Sequence, residues 1–166
     1  MADGHSKRWH RVQPIGYVRR PGVGDPVPGE FYDPNQETII EVMPRWADGL
    51  AGIEGFSHLV VIFWLDRMPR LRTVKPRISA ELRDELPPVG FFSTRTPKRP
   101  NPIGISCPRL LRREENNLIV TGIDAWPDTP VLDIKGYFPR DELRSDATVP
   151  PWLKQLWQKH DEERGR

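Results

Sequence analysis

Apolar positions along this chain cluster in short runs rather than in long periodic stretches. The strongest run is 57–65 (SHLVVIFWL), continuous and rich in β-branched and aromatic side chains, which predicts a strand buried on both faces. Residues 12–19 (VQPIGYVR) read as a first strand interrupted by Pro14 and Gly16, and 37–42 alternate weakly as a second. Residues 89–94, 103–107, 118–123 and 130–134 read as further short strands, with a turn at Glu114-Glu115-Asn116-Asn117 between Leu110-Leu111 and the strand that follows. Residues 44–53 predict one short helix with Pro44 near its first turn. From Pro151 the pattern changes: Trp152, Leu153, Leu156 and Trp157 recur at helical spacing and predict a short amphipathic helix with both tryptophans on one side.

The connecting segments are polar or proline-rich. Residues 1–11 are expected to fray, and 21–31 (PGVGDPVPGEF) form a loop by composition. Residues 66–88 are basic and Pro-interrupted, reading as a loop with one helical turn around 80–85; such a length in a compact domain points to function or mobility. Residues 97–102 form a rigid turn holding Pro97, Pro100 and Pro102. About seven short strands joined by turns predict a mainly-β fold, a small antiparallel β-barrel with a short C-terminal amphipathic helix. The strand–helix alternation of a doubly wound sheet is missing. The expected organisation is a flexible N-terminus at 1–11, a β-barrel domain at 12–140 and a C-terminal helix and tail at 141–166.

Composition supports a turn-rich fold, with 13 Gly and 19 Pro. The longest uncharged apolar run, 59–65, is far short of a membrane span, and the start MADGHSKRWHR has no apolar core, so neither a membrane segment nor a secretory signal is expected. The single cysteine, Cys107, excludes an intramolecular disulfide and a Cys-based zinc site and fits a cytoplasmic location. The histidines are His5, His10, His58 and His160, and only His58 lies in a strong element, so no metal is expected. The net charge of +2 conceals an asymmetry: residues 67–113 hold twelve positive side chains against three negative ones. An Arg-rich segment suits phosphate or carboxylate binding, and a solvated basic surface is the alternative.

No G-x-G-x-x-G opens a helix after a strand, no P-loop is present, and no G-x-S-x-G elbow occurs. Nothing positions Cys107 and His58 as a nucleophile–base pair. Three segments carry more specification than folding needs: Gly55-Phe56-Ser57-His58-Leu59, the stretch 92–106 (FSTRTPKRPNPIGIS), and 124–135 (DAWPDTPVLDIK). In the second, three prolines pre-set a loop that carries Arg95, Arg99 and Asn101, a platform for a carboxylate, a phosphate or a base edge. A proline-rich corner with surface arginines is the alternative.

In this order the segments resemble the TsaA-like family, the TrmO-type tRNA methyltransferases. The signature R-[ST]-x-x-R-P-N-P-I-G-[LIM]-S is matched by Arg95, Thr96, Arg99, Pro100, Asn101, Pro102, Ile103, Gly104, Ile105 and Ser106. The G-F-S-H-L element is Gly55 to Leu59, the D-G-T-P-V-[LV]-D-I-K-P-Y element appears over 128–137, and the I-G-x-[IV]-R-S-P entry over 15–21. Two positions depart: Asp128 stands directly before Thr129 where the family has Gly, and Gly136 replaces the Pro before Tyr137.

The resemblance implies a small β-barrel, homodimers, and S-adenosyl-L-methionine bound near the subunit interface. The implied activity is N-methylation of threonylcarbamoyl-adenosine beside the anticodon of a tRNA. Alternatives are a small-molecule acceptor, or a cofactor-binding module without transfer. By motif position, Arg19, Arg20, Pro21, His58, Leu59, Arg95, Asp128, Thr129, Pro130 and Val131 are the implied cofactor residues. Arg95 would pair the cofactor carboxylate, Asp128 its ammonium or a ribose hydroxyl, and backbone near Leu59 and Val131 its adenine. Arg99, Asn101, Ser106 and Lys135 are the implied substrate residues. Three points stay open: whether His58 is a core or a site residue, whether Asp133 and Lys135 form an ion pair or meet substrate, and whether Asn101 and Ser106 only hold the loop. The basic stretch 67–113 would neutralise tRNA phosphates.

Overall fold

The structure is a computed structural model and describes residues 10–21, 33–70 and 89–163. The expected frayed residues 1–9, most of the loop 21–31 and most of the basic segment 66–88, with its helical turn at 80–85, lie outside the described residues. Seven strands form one sheet in the order β4-β3-β7-β1-β2-β6-β5. They are β1 (Gly16–Arg19), β2 (Thr38–Val42), β3 (Leu59–Trp64), β4 (Ile103–Ser106), β5 (Arg109–Glu114), β6 (Asn117–Thr121) and β7 (Pro130–Gly136). The mainly-β prediction holds.

The chain divides into two compact units, one of 1–65 with 104–137 and one of 66–103 with 138–166. In the first, β7 is the hinge of the topology. It pairs antiparallel with β1 at its start (Tyr17 opposite Pro130, Gly16 opposite Val131) and with β3 along its length (Leu59 opposite Gly136, Val61 opposite Ile134). Side chains alternate across the pleat, so Val18, Ile40, Val42, Val61, Phe63, Leu118, Val120 and Val131 point into one core. β3 buries Leu59, Val60 and Val61 in succession, as its continuous apolar run predicts.

The sheet is not a closed barrel. Among the described residues its return is one bridge, His58 opposite Arg109, flanked by Leu59 N–H to the Pro108 carbonyl at 3.0 Å and Leu110 N–H to the Ser57 carbonyl at 2.9 Å. Pro108 has no N–H to extend a ladder there. The β5–β6 hairpin turns at Glu115-Asn116, with Glu115 at φ 54°.

Several expectations need correction. The first strand begins only at Gly16, because Pro14 cannot donate to a ladder. The single helix expected over 44–53 is two 3-10 turns, Pro44–Leu50 and Ile53–Gly55. In the second unit, 89–94 is not a strand but a loop with a 3-10 turn at Phe91–Ser93. Thr94 Oγ1 donates to the Phe91 carbonyl at 3.0 Å, a local partner that competes with strand pairing. A short helix α1 (Pro139–Glu142) was not anticipated, and α2 (Pro151–Glu163) is the expected C-terminal helix. Trp152, Leu153 and Leu156 are half-buried on it, whereas Trp157 is exposed. Five residues of α-helix place Trp152 and Trp157 about 140° apart, so they do not share a side. Among the described residues no helix is long and apolar enough to cross a membrane.

Candidate functional site

The implied cofactor residues of the first unit fall into two groups. The first is built on the end of β1 and the turn before β7. Asp128 is the third residue of the turn Trp126-Pro127-Asp128-Thr129, closed by Thr129 N–H to the Trp126 carbonyl at 3.2 Å. Asp128 adopts φ 64°, and Pro before a left-handed residue makes this a type II turn. That position normally takes Gly, so the family's glycine geometry is kept here with a carboxylate attached. The turn is sewn to β1 by Asp128 N–H to the Val18 carbonyl at 2.8 Å and Val18 N–H to the Thr129 carbonyl at 3.0 Å.

Arg19 binds this turn from β1. Its NH1 donates to Asp128 Oδ1, its Nε donates to Glu41 Oε2 at 2.6 Å, and its guanidinium lies 5.1 Å from the Tyr17 ring centroid. The bond to Glu41 is the main cause that raises the Arg19 pKa above its already high ordinary value; burial opposes it and Asp128 adds to it. Arg20 serves the scaffold: it donates to Thr38 Oγ1 at 3.2 Å and to the Ile123 carbonyl at 2.8 Å. Pro21 follows, exposed. Thr129 and Val131 are buried and Pro130 is half-buried, so this stretch offers mainly backbone and the Asp128 side chain.

Because the left-handed position favours glycine and the Arg19–Asp128 pair is exposed, substitutions at 128 separate backbone from charge. Asp128→Gly is expected to stay within about 0.5 kcal/mol of the native stability, and Asp128→Ala to cost about 1–2 kcal/mol. Urea denaturation of the two variants checks this; equal losses would remove the backbone explanation.

The second group lies at the start of β3. His58 is half-buried, with Nδ1 3.0 Å from Ser57 Oγ and its ring edge-on to Tyr137 at 6.4 Å. Its carbonyl accepts Tyr137 N–H at 3.0 Å. The Leu59 side chain is fully buried and its N–H is spent on Pro108. Gly136 beside it faces the Phe56 ring, which a Cβ there would approach to 2.6 Å. Lys135 Nζ pairs with the Asp133 carboxylate on β7, and Ser106 Oγ accepts Asp124 N–H at 3.4 Å.

The two groups do not meet within one chain. They sit at opposite ends of β7, and Thr129 to Gly136 spans about 23 Å of extended strand.

The second unit holds the signature loop. Arg99 organises it: its NH1 donates to the carbonyls of Phe91 at 3.2 Å, Thr94 at 3.0 Å and Thr96 at 3.4 Å, and its guanidinium lies 5.9 Å from both the Phe91 and Phe92 rings. Arg95 is exposed and has no hydrogen bond or ion pair to another described residue. Asn101 is exposed, and its carbonyl accepts Ile103 N–H at 2.8 Å. Glu41 belongs to no motif, and Tyr17 fills the unspecified position of the I-G-x-[IV]-R-S-P entry. Their only sequence signal is polar character at outward positions of otherwise apolar strands.

A sequence profile of the family described as the tRNA-methyltransferase O N-terminal domain matches residues 24–142. A probable S-adenosyl-L-methionine-binding protein of Archaeoglobus fulgidus is 41% identical over 133 residues, covering 76% of this chain and 34% of its own. The putative S-adenosylmethionine-dependent methyltransferase RcsF of Pseudomonas aeruginosa is 33% identical over 167 residues, covering 89% of this chain and 68% of its own. A crystal structure of TrmO from Pseudomonas aeruginosa superposes with a TM-score of 0.64 at 29% identity, covering 87% of this chain and 63% of that one. This chain therefore spans about a third of the Archaeoglobus relative and less than two thirds of the solved TrmO. The match over 24–142, well over half of its length, shows that the chain belongs to the tRNA-methyltransferase O N-terminal domain family.

Proposed function

We propose that this chain is an S-adenosyl-L-methionine-dependent methyltransferase whose acceptor is the exocyclic nitrogen of threonylcarbamoyl-adenosine beside the anticodon of a tRNA. The observation that carries the reading is Arg95, a guanidinium without a partner among the described residues, on a loop that Arg99 and three prolines hold in shape. The residues fit the cofactor's chemistry. A forked guanidinium suits its carboxylate. Asp128 spends one carboxylate oxygen on Arg19 and keeps the other for a cationic group such as the ammonium. When bound, the cofactor supplies an activated methyl group on a sulfonium.

What the chain contributes is orientation. Each unit offers a charged anchor, Arg95 on the signature loop and Asp128 on the turn before β7, and the acceptor nitrogen must lie in line with the methyl at about 3–3.5 Å. Because Asp128 and His58 stand at opposite ends of β7, a ligand of cofactor size engages both groups only when two copies contribute. The working unit is accordingly a homodimer with the cofactor at the subunit interface. The basic stretch 67–113 meets RNA phosphates, so tRNA binding weakens steeply with salt.

Calorimetry with S-adenosyl-L-methionine on the native protein and on Arg95→Ala tests the reading. Native binding, weakened tenfold or more by the substitution, which is about 1.4 kcal/mol or more, is expected. Transfer of labelled methyl to tRNA carrying threonylcarbamoyl-adenosine should follow. Binding without transfer to RNA would reduce the protein to a binding module or to an enzyme with a small acceptor. No binding to folded native protein would end the methyltransferase reading.

A further inference from the structure

Glu41 lies outside every motif, yet it joins a polar cluster built around Arg19 on the sheet. In the β1–β2 register it stands opposite Tyr17, and Arg19, two residues along, emerges on the same face. Glu41 Oε2 accepts Arg19 Nε at 2.6 Å, the Tyr17 ring backs the guanidinium at 5.1 Å, and NH1 reaches Asp128. Three contacts thus set one guanidinium, and it in turn holds a carboxylate on a left-handed residue. Asp128 Oδ2 has no partner among the described residues. With two carboxylates on one guanidinium the cluster carries net negative charge, so it attracts the cationic end of a ligand and repels an anionic end.

We propose that Glu41 is a positioning residue for the cofactor: it orients Arg19, which fixes the Asp128 carboxylate with its free oxygen turned to a ligand ammonium. This rests on the methyltransferase reading above. Without Glu41, Arg19 keeps only Asp128 and Tyr17 as side-chain partners among the described residues, and both the Arg19 and Asp128 side chains gain rotamer freedom. Removing Glu41 also removes one of the two negative charges that favour the cationic group.

Two measurements test it. The first needs no ligand: amide hydrogen exchange at Asp128 and Thr129 is expected to be several-fold faster in Glu41→Gln than in the native protein, because Arg19 loses the charged partner that orients it and its hold on the turn loosens. Unchanged exchange would overturn the link from Glu41 through Arg19 to the turn. The second is a double-mutant cycle read by calorimetry with S-adenosyl-L-methionine. Glu41→Gln should raise Kd about threefold to tenfold, within the range for side chains sharing a partner, and should add nothing in an Asp128→Asn background. Fully additive effects, or a Glu41→Gln Kd equal to the native value while Asp128→Asn weakens binding, would overturn the positioning role. If the native protein binds no cofactor, the methyltransferase reading and the ligand half of this proposal both fall, and the exchange arm still judges the Glu41–Arg19–Asp128 link.

Discussion

Gly16→Ala is expected to destabilise the protein by about 3 kcal/mol, at the upper end of what overpacking costs. A Cβ on Gly16 would lie 2.3 Å from the Glu41 backbone oxygen and 3.0 Å from Val42 Cα. Both are main-chain atoms of β2, so no side chain can swing aside. The strands must separate, and β1 has nowhere to go because β7 pairs with its other edge. The glycine of the I-G-x-[IV]-R entry is thus a packing residue, there to let β1 and β2 close on each other. Its loss reaches the site as well, since the register it permits sets Glu41 beside Arg19. Urea denaturation should show a lowered midpoint with an unchanged slope. A change below about 0.5 kcal/mol would mean the strands accommodate the methyl, and the packing role would be abandoned.

Leu59→Ala is the second large effect, at about 2–5 kcal/mol, because Leu59 is fully buried in the main core and its removal leaves a cavity. Leu59→Met conserves volume and should cost less than about 1.5 kcal/mol. The pair also separates two roles for a residue that the family motif places in the cofactor site. The side chain faces the core, so only the backbone can face a ligand, and Leu59→Met should leave cofactor affinity within about twofold of native. A tenfold loss in a folded Leu59→Met protein, about 1.4 kcal/mol, would show that the side chain itself meets the cofactor.

Much of the fold was legible in the sequence because its signals are local. The run 57–65 reported a two-sided strand, the Glu-Asn turn marked the β5–β6 hairpin, and the spacing from Pro151 marked α2. Where reading failed, a local rule met a competitor. The apolar, aromatic stretch 89–94 has strand composition, but the Thr94 hydroxyl and the Arg99 guanidinium take up its carbonyls. Trp152 and Trp157 looked like neighbours, but helical geometry turns Trp157 outward.

The candidate site divides in the same way. Residue chemistry and motif order alone determined which side chains matter: Arg95, the proline-set loop around it, and the Asp128-Thr129-Pro130 segment. Only the tertiary structure decided how they are arranged, because strand register and sheet order are set by pairing between distant segments. Register across β1 and β2 placed Glu41 against Arg19, a contact between residues 22 positions apart. The pairing of β7 with both β1 and β3 sent His58 and Asp128 to opposite ends of one strand. A left-handed turn, stitched to β1 by two hydrogen bonds, let an aspartate stand where the family places glycine.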